Sequence, residues 1–255
     1  MALTLYSFGP GANSLKPLLA LYEKGIPFTP RVLNPGKFEH HEPWFVKINP
    51  RGQVPALDHD GKIITESTVI CEYLEDEFPD TPALRPKDSY GKAQMRIWTK
   101  WVDEYFCWCV STIGWHRIIG QMTKNLSDEE FEKYVERIPV YEQRVKWRTA
   151  RKGFPQEVID EEMRKVKFSV TRLNDRLKES KWLAGPDYTL ADICNFAIAG
   201  GMERGWTELV NEKDTPYLVD WLKRMQERPA VKQMYANAQV PQAEQAVRVA
   251  TNAAE

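Results

Sequence analysis

Two short segments of this chain carry residues suited to binding a small peptide. In Gln53-Val54-Pro55-Ala56-Leu57, the Val-Pro step lies in a strand-like run and is a candidate for a cis peptide bond in a turn. Proline lacks a backbone N–H, so the Val54 main chain is expected to remain free to pair with a ligand. Glu66-Ser67 stands before a helical run, which predicts Ser67 as an N-cap beside an anion-binding helix start. A free backbone edge plus an anion site suits a short peptide with a free carboxylate.

The elements that must position these segments alternate in type over the first 80 residues. A strand-like run at Leu3–Phe8 precedes a helical run at Leu15–Lys24, and another strand-like run follows at Phe28–Leu33. This order implies a parallel βαβ unit. Ala56–His59 and Lys62–Thr65 are predicted to form an antiparallel hairpin around Asp60-Gly61, followed by a helix.

The remainder of the chain has mostly helical patterning. Three prolines between Phe78 and Pro86 predict a linker, so we expect domains at residues 1–80 and 89–255 with a linker at 81–88. The tail Gln239–Glu255 lacks large apolar periodicity and is expected to be mobile. Predicted helices span Tyr90–Ser111, Asp128–Arg151, Gln156–Ser180, Leu190–Gly200, Tyr217–Arg228 and Ala230–Ala236. Thr189 and Asp192 are spaced as a capping box.

Composition excludes several classes of function. A chain of 255 residues with a net charge of −1 lacks the basic excess of an electrostatic nucleic-acid binder. No apolar run is long enough to span a bilayer, and the N-terminus runs into a strand without a signal-like segment. The four cysteines lie in helical, partly apolar surroundings, which favours reduced packing residues over disulfides. We therefore expect a cytoplasmic protein that binds neither nucleic acid nor membrane.

Taken in order, the motifs resemble those of the glutathione transferases over nearly the whole chain. The resemblance implies a thioredoxin-like N-terminal domain, a C-terminal helical bundle and glutathione as co-substrate. It also implies a homodimer in which the first domain packs against the partner's second domain. The matching segments are Leu3-Thr4-Leu5-Tyr6-Ser7, Ser14-Leu15-Lys16-Pro17-Leu18, Asn49–Leu57, Glu66-Ser67 and Thr189-Leu190-Ala191-Asp192-Ile193.

This family places its sulfur-activating residue in the loop between the first strand and the first helix. Here that loop offers the Ser14 hydroxyl and the Asn13 side-chain amide as donors to a thiolate. The sequence does not decide between them, and Ser14 could instead be a helix N-cap without a chemical role. Tyr6, within the first strand, is a lesser candidate.

The resemblance also implies how the rest of the tripeptide is held. Val54, beside Pro55, pairs with the cysteinyl backbone, and Gln53 assists. Glu66 and Ser67 hold the amine and the carboxylate of the γ-glutamyl end. The glycine carboxylate requires a cation, for which His41 and Lys37 are the candidates, with His40 and Arg51 also nearby in sequence.

An aromatic-rich helix indicates a resemblance to one particular group within this family. The segment from Trp98 to Trp115 and the segments around Lys146-Trp147-Arg148 resemble the bacterial β-etherases that cleave lignin-derived aryl ethers. In this family the helix lines the inter-domain cleft, so Tyr105, Trp108, Trp115 and Trp147 are expected to clamp aryl rings. At least half of the aromatic residues in the helix must nevertheless be core. The charge-dense region 124–166 is either a solvated helical pair or a pocket frame built on Trp147, Arg148 and Phe154.

The expected activity is attack by glutathione thiolate on the Cβ carbon of an α-keto β-aryl ether. The products are a phenol and a β-glutathionyl ketone, and no metal is required. Two alternatives remain: a transferase or thioether lyase acting on other electrophiles, and a non-catalytic binding module. The enantiomer accepted, the leaving-group range and the natural ketone are not determined by the sequence.

Overall fold

The computed structural model describes residues 2–238 and contains a four-stranded sheet followed by a helical bundle. The predicted tail at 239–255 lies outside the described residues. The sheet has the order β2-β1-β3-β4, with β1 parallel to β2 and antiparallel to β3. The strands are β1 (Leu3–Ser7), β2 (Thr29–Val32), β3 (Ala56–His59) and β4 (Lys62–Thr65).

Three helices complete the first domain, and they confirm the predicted βαβ unit and hairpin. They are α1 (Ala12–Lys24), α2 (Pro43–Ile48) and α3 (Ser67–Glu77), with single turns of 3-10 helix at Pro35–Lys37 and Glu39–His41. Helix α1 buries a continuous apolar run between the sheet and the second domain, which places its first turn at the domain junction.

The second domain begins with α4 and continues as one long, irregular helix. The elements are α4 (Ser89–Trp101), a π-helical turn (Val102–Phe106), α5 (Cys107–Gly114), a second π-helical turn (Trp115–Ile119) and α6 (Gly120–Thr123). The predicted helix therefore extends beyond Ser111. Because π-helical turns change the angular spacing of side chains, they shift which residues face the first domain.

The remaining helices complete the bundle. The predicted helix over Asp128–Arg151 is wrong, because the chain breaks at Pro139 into two helices, α7 and α8. The helices are α7 (Asp128–Glu136), α8 (Tyr141–Lys152), α9 (Gln156–Glu179), α10 (Leu190–Ala199), α11 (Met202–Gly205), α12 (Pro216–Glu227) and α13 (Pro229–Ala236). Within residues 2–238, no helix has the length and apolarity to cross a bilayer.

Two packing features stabilise the helical bundle of the second domain. The predicted capping box at Thr189 is present, and the buried Asp192 carboxylate accepts hydrogen bonds from the Leu183 N–H and the Trp221 Nε1 at 3.0 Å each. Gly120 of α6 lies against the Ala150 carbonyl of α8, where a Cβ atom would clash. The glycine therefore allows α8 to lie close to the end of the long helix.

Candidate active site

The loop after β1 brings two hydrogen-bond donors to the start of α1. Gly11 is the N-cap, so Ser14 occupies the third helical position and is not the N-cap considered from the sequence. The buried Ser14 Oγ accepts a hydrogen bond from the Phe8 N–H at 3.3 Å. This contact uses the oxygen as an acceptor and leaves the hydroxyl proton available to a ligand.

The Asn13 side chain is oriented by a residue of the second domain. The Cys107 Sγ lies 3.6 Å from the Asn13 Oδ1 and donates to it. Burial raises the pKa of the Cys107 thiol, which keeps the proton on sulfur. With its oxygen engaged, Asn13 retains both amide N–H groups as donors.

Tyr6 is directed away from this loop by the alternation of β1. Its ring lies 6.3 Å from that of Trp44 and 5.8 Å from that of Phe45, so it packs against α2. In the described chain, Ser14 and Asn13 are thus the donors at the helix start.

The predicted peptide-binding edge is present beside the sheet. The Val54–Pro55 bond is cis, as predicted. Among residues 2–238, no group pairs with the Val54 backbone N–H or C=O. The preceding Gln53 is fixed by two contacts, since its carbonyl accepts from Asn49 Nδ2 at 2.7 Å and its Oε1 accepts from Arg51 Nε at 3.2 Å. This leaves an extended edge at Val54 for a ligand backbone.

The turn between β4 and α3 supplies the second peptide-binding element. Glu66 is the N-cap and Ser67 the first helical residue, so the assignment of Ser67 as N-cap is wrong by one position. Glu66 has φ of 65° and ψ of 117°, a rare backbone conformation for a residue with a side chain. Such geometry is maintained where function requires it, and here it exposes the carboxylate beside the free N–H groups of α3.

The residues predicted to bind the glycine carboxylate of glutathione differ in burial. His40 and His41 are buried, and their Nδ1 atoms have no hydrogen-bond partner. Burial, with Arg137 nearby, lowers the pKa of His40 to about 3 and that of His41 to about 4. His41 is therefore a neutral donor and not the expected cation. Lys37 is exposed, with its backbone N–H bound to Asn34.

The histidine pair lies next to the peptide edge because of Gly52. This glycine has φ of 60°, and a Cβ there would lie 3.0 Å from both the His40 carbonyl and the His41 Cδ2. The histidine pair therefore packs against the residue that immediately precedes Gln53 and Val54. A buried polar atom without a partner is unfavourable, so the two Nδ1 atoms are candidates to contact a polar group of a bound peptide.

One aromatic wall is formed by Trp108 of α5 and Trp115 of the second π-helical turn. Trp108 has 57% of its surface exposed, and Trp115 is partly buried. The Lys146 Nζ of α8 lies over both rings, 5.3 Å from the Trp108 centroid and 4.6 Å from the Trp115 centroid. The wall therefore combines exposed aromatic surface with a cation.

The other two aromatic residues predicted to bind aryl rings, Tyr105 and Trp147, do not lie beneath the Lys146 Nζ as Trp108 and Trp115 do. Tyr105 lies two residues before Cys107, and its ring packs against Phe168 of α9 at 6.0 Å. Trp147 is only 8% exposed and lies edge-on behind Trp115 at 4.9 Å. Trp147 supports the wall from behind, while Tyr105 lies on another face of the helix.

Trp147 belongs to a second apolar cluster that joins the two domains. Phe38, in the loop before His40, stacks on Tyr134 at 4.5 Å and tilts against Trp147 at 4.8 Å. The charge-dense region is therefore partly core, and its Arg148 pairs with Glu132 on the outer face. Phe154 donates its backbone N–H to His116 Nδ1 at 3.3 Å.

Comparison with known proteins decides the family. The N-terminal domain profile of glutathione S-transferase matches residues 1–76, and the C-terminal domain profile matches residues 106–229. This chain belongs to the glutathione S-transferase family. The fold and the use of glutathione as co-substrate, both expected from the sequence, are thereby confirmed.

The similarity to individual proteins is consistent with this family assignment. Protein LigF from Sphingobium sp. strain SYK-6 is 59% identical over 240 residues, covering 92% of this chain and 93% of that protein. The crystal structure of the beta-etherase LigF superposes with a TM-score of 0.90, covering 92% of this chain and 99% of that one. Glutathione S-transferase GstA from Escherichia coli O157:H7 is 25% identical over 88% of this chain and 93% of that protein.

Sequence reasoning missed a buried ionic network beneath the transferase site. Lys16 of α1 is fully buried and pairs with Asp103 of the first π-helical turn, while Thr68 Oγ1 donates to the same carboxylate at 2.6 Å. The Asp103 pair contributes to a raised pKa of Lys16, despite the opposing effect of burial. A lysine inside the apolar run of α1 was the available signal, because such a position requires a partner.

Proposed function

We propose that this transferase is a β-etherase that cleaves α-keto β-aryl ethers derived from lignin. The main support is the 59% identity of this chain to LigF, whose crystal structure is described as a beta-etherase, together with the free Val54 backbone and the exposed Trp108 ring. Glutathione thiolate attacks Cβ from the side opposite the ether oxygen. The S–Cβ bond forms as the Cβ–O bond breaks, and the bonding electrons leave with the aryl oxygen as a phenolate.

In the proposed complex, the tripeptide backbone pairs with Val54, and Glu66 and Ser67 hold its γ-glutamyl end. Gln53 assists, and neutral His40 and His41 donate to the glycine carboxylate. Lys37 and Arg51 are exposed and add favourable charge nearby. This placement directs the sulfur toward the start of α1.

Ser14 and Asn13 then stabilise the thiolate by hydrogen bonding. A model thiol ionises near pH 8.5, and lowering that value by about two units stabilises the anion by roughly 2.7 kcal/mol. Two directed donors at a helix N-terminus supply an effect of this size. The adjacent carbonyl of the substrate activates Cβ, so the remaining task is to orient the reactants.

The aromatic wall orients the second substrate. Trp108 and Trp115 present ring surface to the aryl groups, and Trp147 fixes Trp115 from behind. Tyr105 packs on α9, on another face of the helix, and supports the segment that carries Trp108.

We further propose a cytoplasmic homodimer. Exposed apolar side chains on α3 (Val69) and α4 (Tyr90 and Ile97) belong to different domains, which suits packing of one subunit's first domain on its partner's second. The four free cysteines fit a reducing compartment that supplies glutathione. Light scattering of the wild type and of Val69→Glu tests the dimer.

The test of activity is phenol release from a racemic keto aryl ether in the presence of glutathione. Consumption of half the material, with a glutathionyl ketone as co-product, is the expected result for an enantioselective enzyme. Release of no phenol from either enantiomer would reject this function. Turnover of chlorodinitrobenzene at a matching rate would favour a general transferase.

A further inference from the structure

The most unusual charge near the site is the ammonium group of Lys146. It is partly buried, its Nζ lies over the rings of Trp108 and Trp115, and it donates to Ser111 Oγ at 3.2 Å. None of the carboxylates in residues 2–238 lies within ion-pair distance of it. A cation removed from water without a counter-ion is unfavourable, so this site is suited to an anion that arrives during the reaction.

The position of Lys146 relative to the sulfur donors indicates that this anion is the leaving aryl oxygen of the ether. Cys107 contacts Asn13, and Ser111, which contacts Lys146, follows it by four residues on the same face of α5. That separation is about 6 Å along the helix axis. In a back-side displacement the sulfur and the leaving oxygen lie on opposite sides of Cβ, roughly 5 Å apart. A sulfur at Asn13 therefore places the leaving oxygen near Lys146.

We propose that Lys146 stabilises the departing phenolate by donating a hydrogen bond from its ammonium group to the aryl oxygen. This role rests on the proposed β-etherase function and adds a catalytic residue to it. As the Cβ–O bond breaks, negative charge accumulates on the oxygen and is balanced by the lysine. The phenolate takes its proton from this group or from water, and the lysine is reprotonated by solvent.

Two further observations support this assignment. Burial lowers the pKa of Lys146, which makes its proton a better match for a phenol than that of an exposed lysine. The two tryptophan rings that hold the ammonium are also the exposed surface available to an aryl group. The sulfur already has Ser14 and Asn13, whereas the described chain offers the leaving oxygen no other cation on this wall.

The dependence on the leaving group tests the proposal. Single-turnover rates of the wild type, Lys146→Met and Lys146→Arg are measured with keto ethers carrying 4-nitrophenol, phenol or guaiacol. For the poorest leaving groups, whose phenols ionise near pH 10, Lys146→Met should lose about 100-fold. For nitrophenolate the loss should be less than about threefold, because that anion needs little stabilisation. Lys146→Arg should recover part of the loss.

The exposed Lys152 of the same helix gives the matched control, and Lys152→Met should leave all rates unchanged. The thiol pKa of bound glutathione, followed by thiolate absorbance, should be the same in Lys146→Met as in the wild type. If Lys146→Met lost the same factor in rate with every leaving group, or raised the thiol pKa, the proposed role of Lys146 would be overturned. The proposed β-etherase function would not be affected by either result. A wild type that releases no phenol from any ether would overturn the proposed function as well.

Discussion

The Cys107 thiol of the second domain donates to the Asn13 side-chain oxygen of the first, across 3.6 Å. This contact engages the amide oxygen and leaves both amide N–H groups of Asn13 for the proposed contact with the glutathione sulfur. Cys107→Ala should lower the rate about threefold to tenfold, because a weak orienting bond is lost while Asn13 remains. Cys107→Ser, which restores a donor, should recover most of the rate with little change in KM for glutathione.

Ser14 and Asn13 should compensate for each other. Ser14→Ala and Asn13→Ala are each expected to reduce the rate by about tenfold, since one sulfur donor remains. The double variant should lose more than about 100-fold and raise the pKa of the bound thiol toward its free value. Absorbance titration of the enzyme–glutathione complex measures that pKa. A double variant with an unchanged thiol pKa would show that these residues do not act on the sulfur.

The neutral state of His40 and His41 predicts how ligand affinity responds to pH. With pKa values of about 3 and about 4, neither ring changes charge between pH 6 and 8. The affinity for S-methylglutathione, which has no ionisable thiol, should therefore be constant over this range. Calorimetric titration at several pH values checks this. A tenfold fall in affinity per pH unit would instead indicate a protonated histidine.

The same histidines predict a loss of stability in acid. Their folded-state pKa values lie below the unfolded value of about 6.5, so the unfolded chain binds more protons below that pH. The stabilisation is fully present above pH 6.5 and is lost as the pH falls toward 4. In urea unfolding, the His40→Gln/His41→Gln variant should show a weaker decline over this interval than the wild type.

The buried Lys16–Asp103 pair should respond unequally to removal of its two partners. Asp103→Ala leaves an uncompensated charge on fully buried Lys16 and should cost about 3 kcal/mol of unfolding free energy. Lys16→Met should cost less, because Asp103 is partly exposed and keeps Thr68. The raised pKa of Lys16 means that its contribution is present below about pH 10.5 and is lost as the pH rises through the folded value. Urea unfolding at pH 8 and pH 11 tests both statements.

Local chemistry explains which parts of this transferase were predictable. The hairpin at Asp60-Gly61, the cis bond at Val54–Pro55 and the capping box at Thr189 depend on neighbours in sequence, and all three are present. The predicted helix over 128–151 was wrong because Pro139 separates α7 from α8, and a proline in a helix interior removes a backbone hydrogen bond. The π-helical turns were missed because their hydrophobic spacing differs little from that of an α-helix.

The unpredicted part of the site depends on contacts between residues that are distant in sequence. Lys16 needs Asp103, Asn13 needs Cys107, and Lys146 needs Trp108 and Trp115. Each of these pairs is more than 30 residues apart in sequence, so no local pattern marks it. Burial likewise turned His41 from an expected cation into a neutral donor, an effect that follows only from tertiary packing.

In the proposed mechanism, glutathione sulfur displaces the aryl oxygen at Cβ from the opposite side. Its most direct test is chiral analysis of the product formed from a single reactive enantiomer of an α-keto β-aryl ether. We expect one equivalent of phenol and one of β-glutathionyl ketone with inverted configuration at Cβ. A thioether of retained configuration, or phenol released without a thioether, would rule out this displacement.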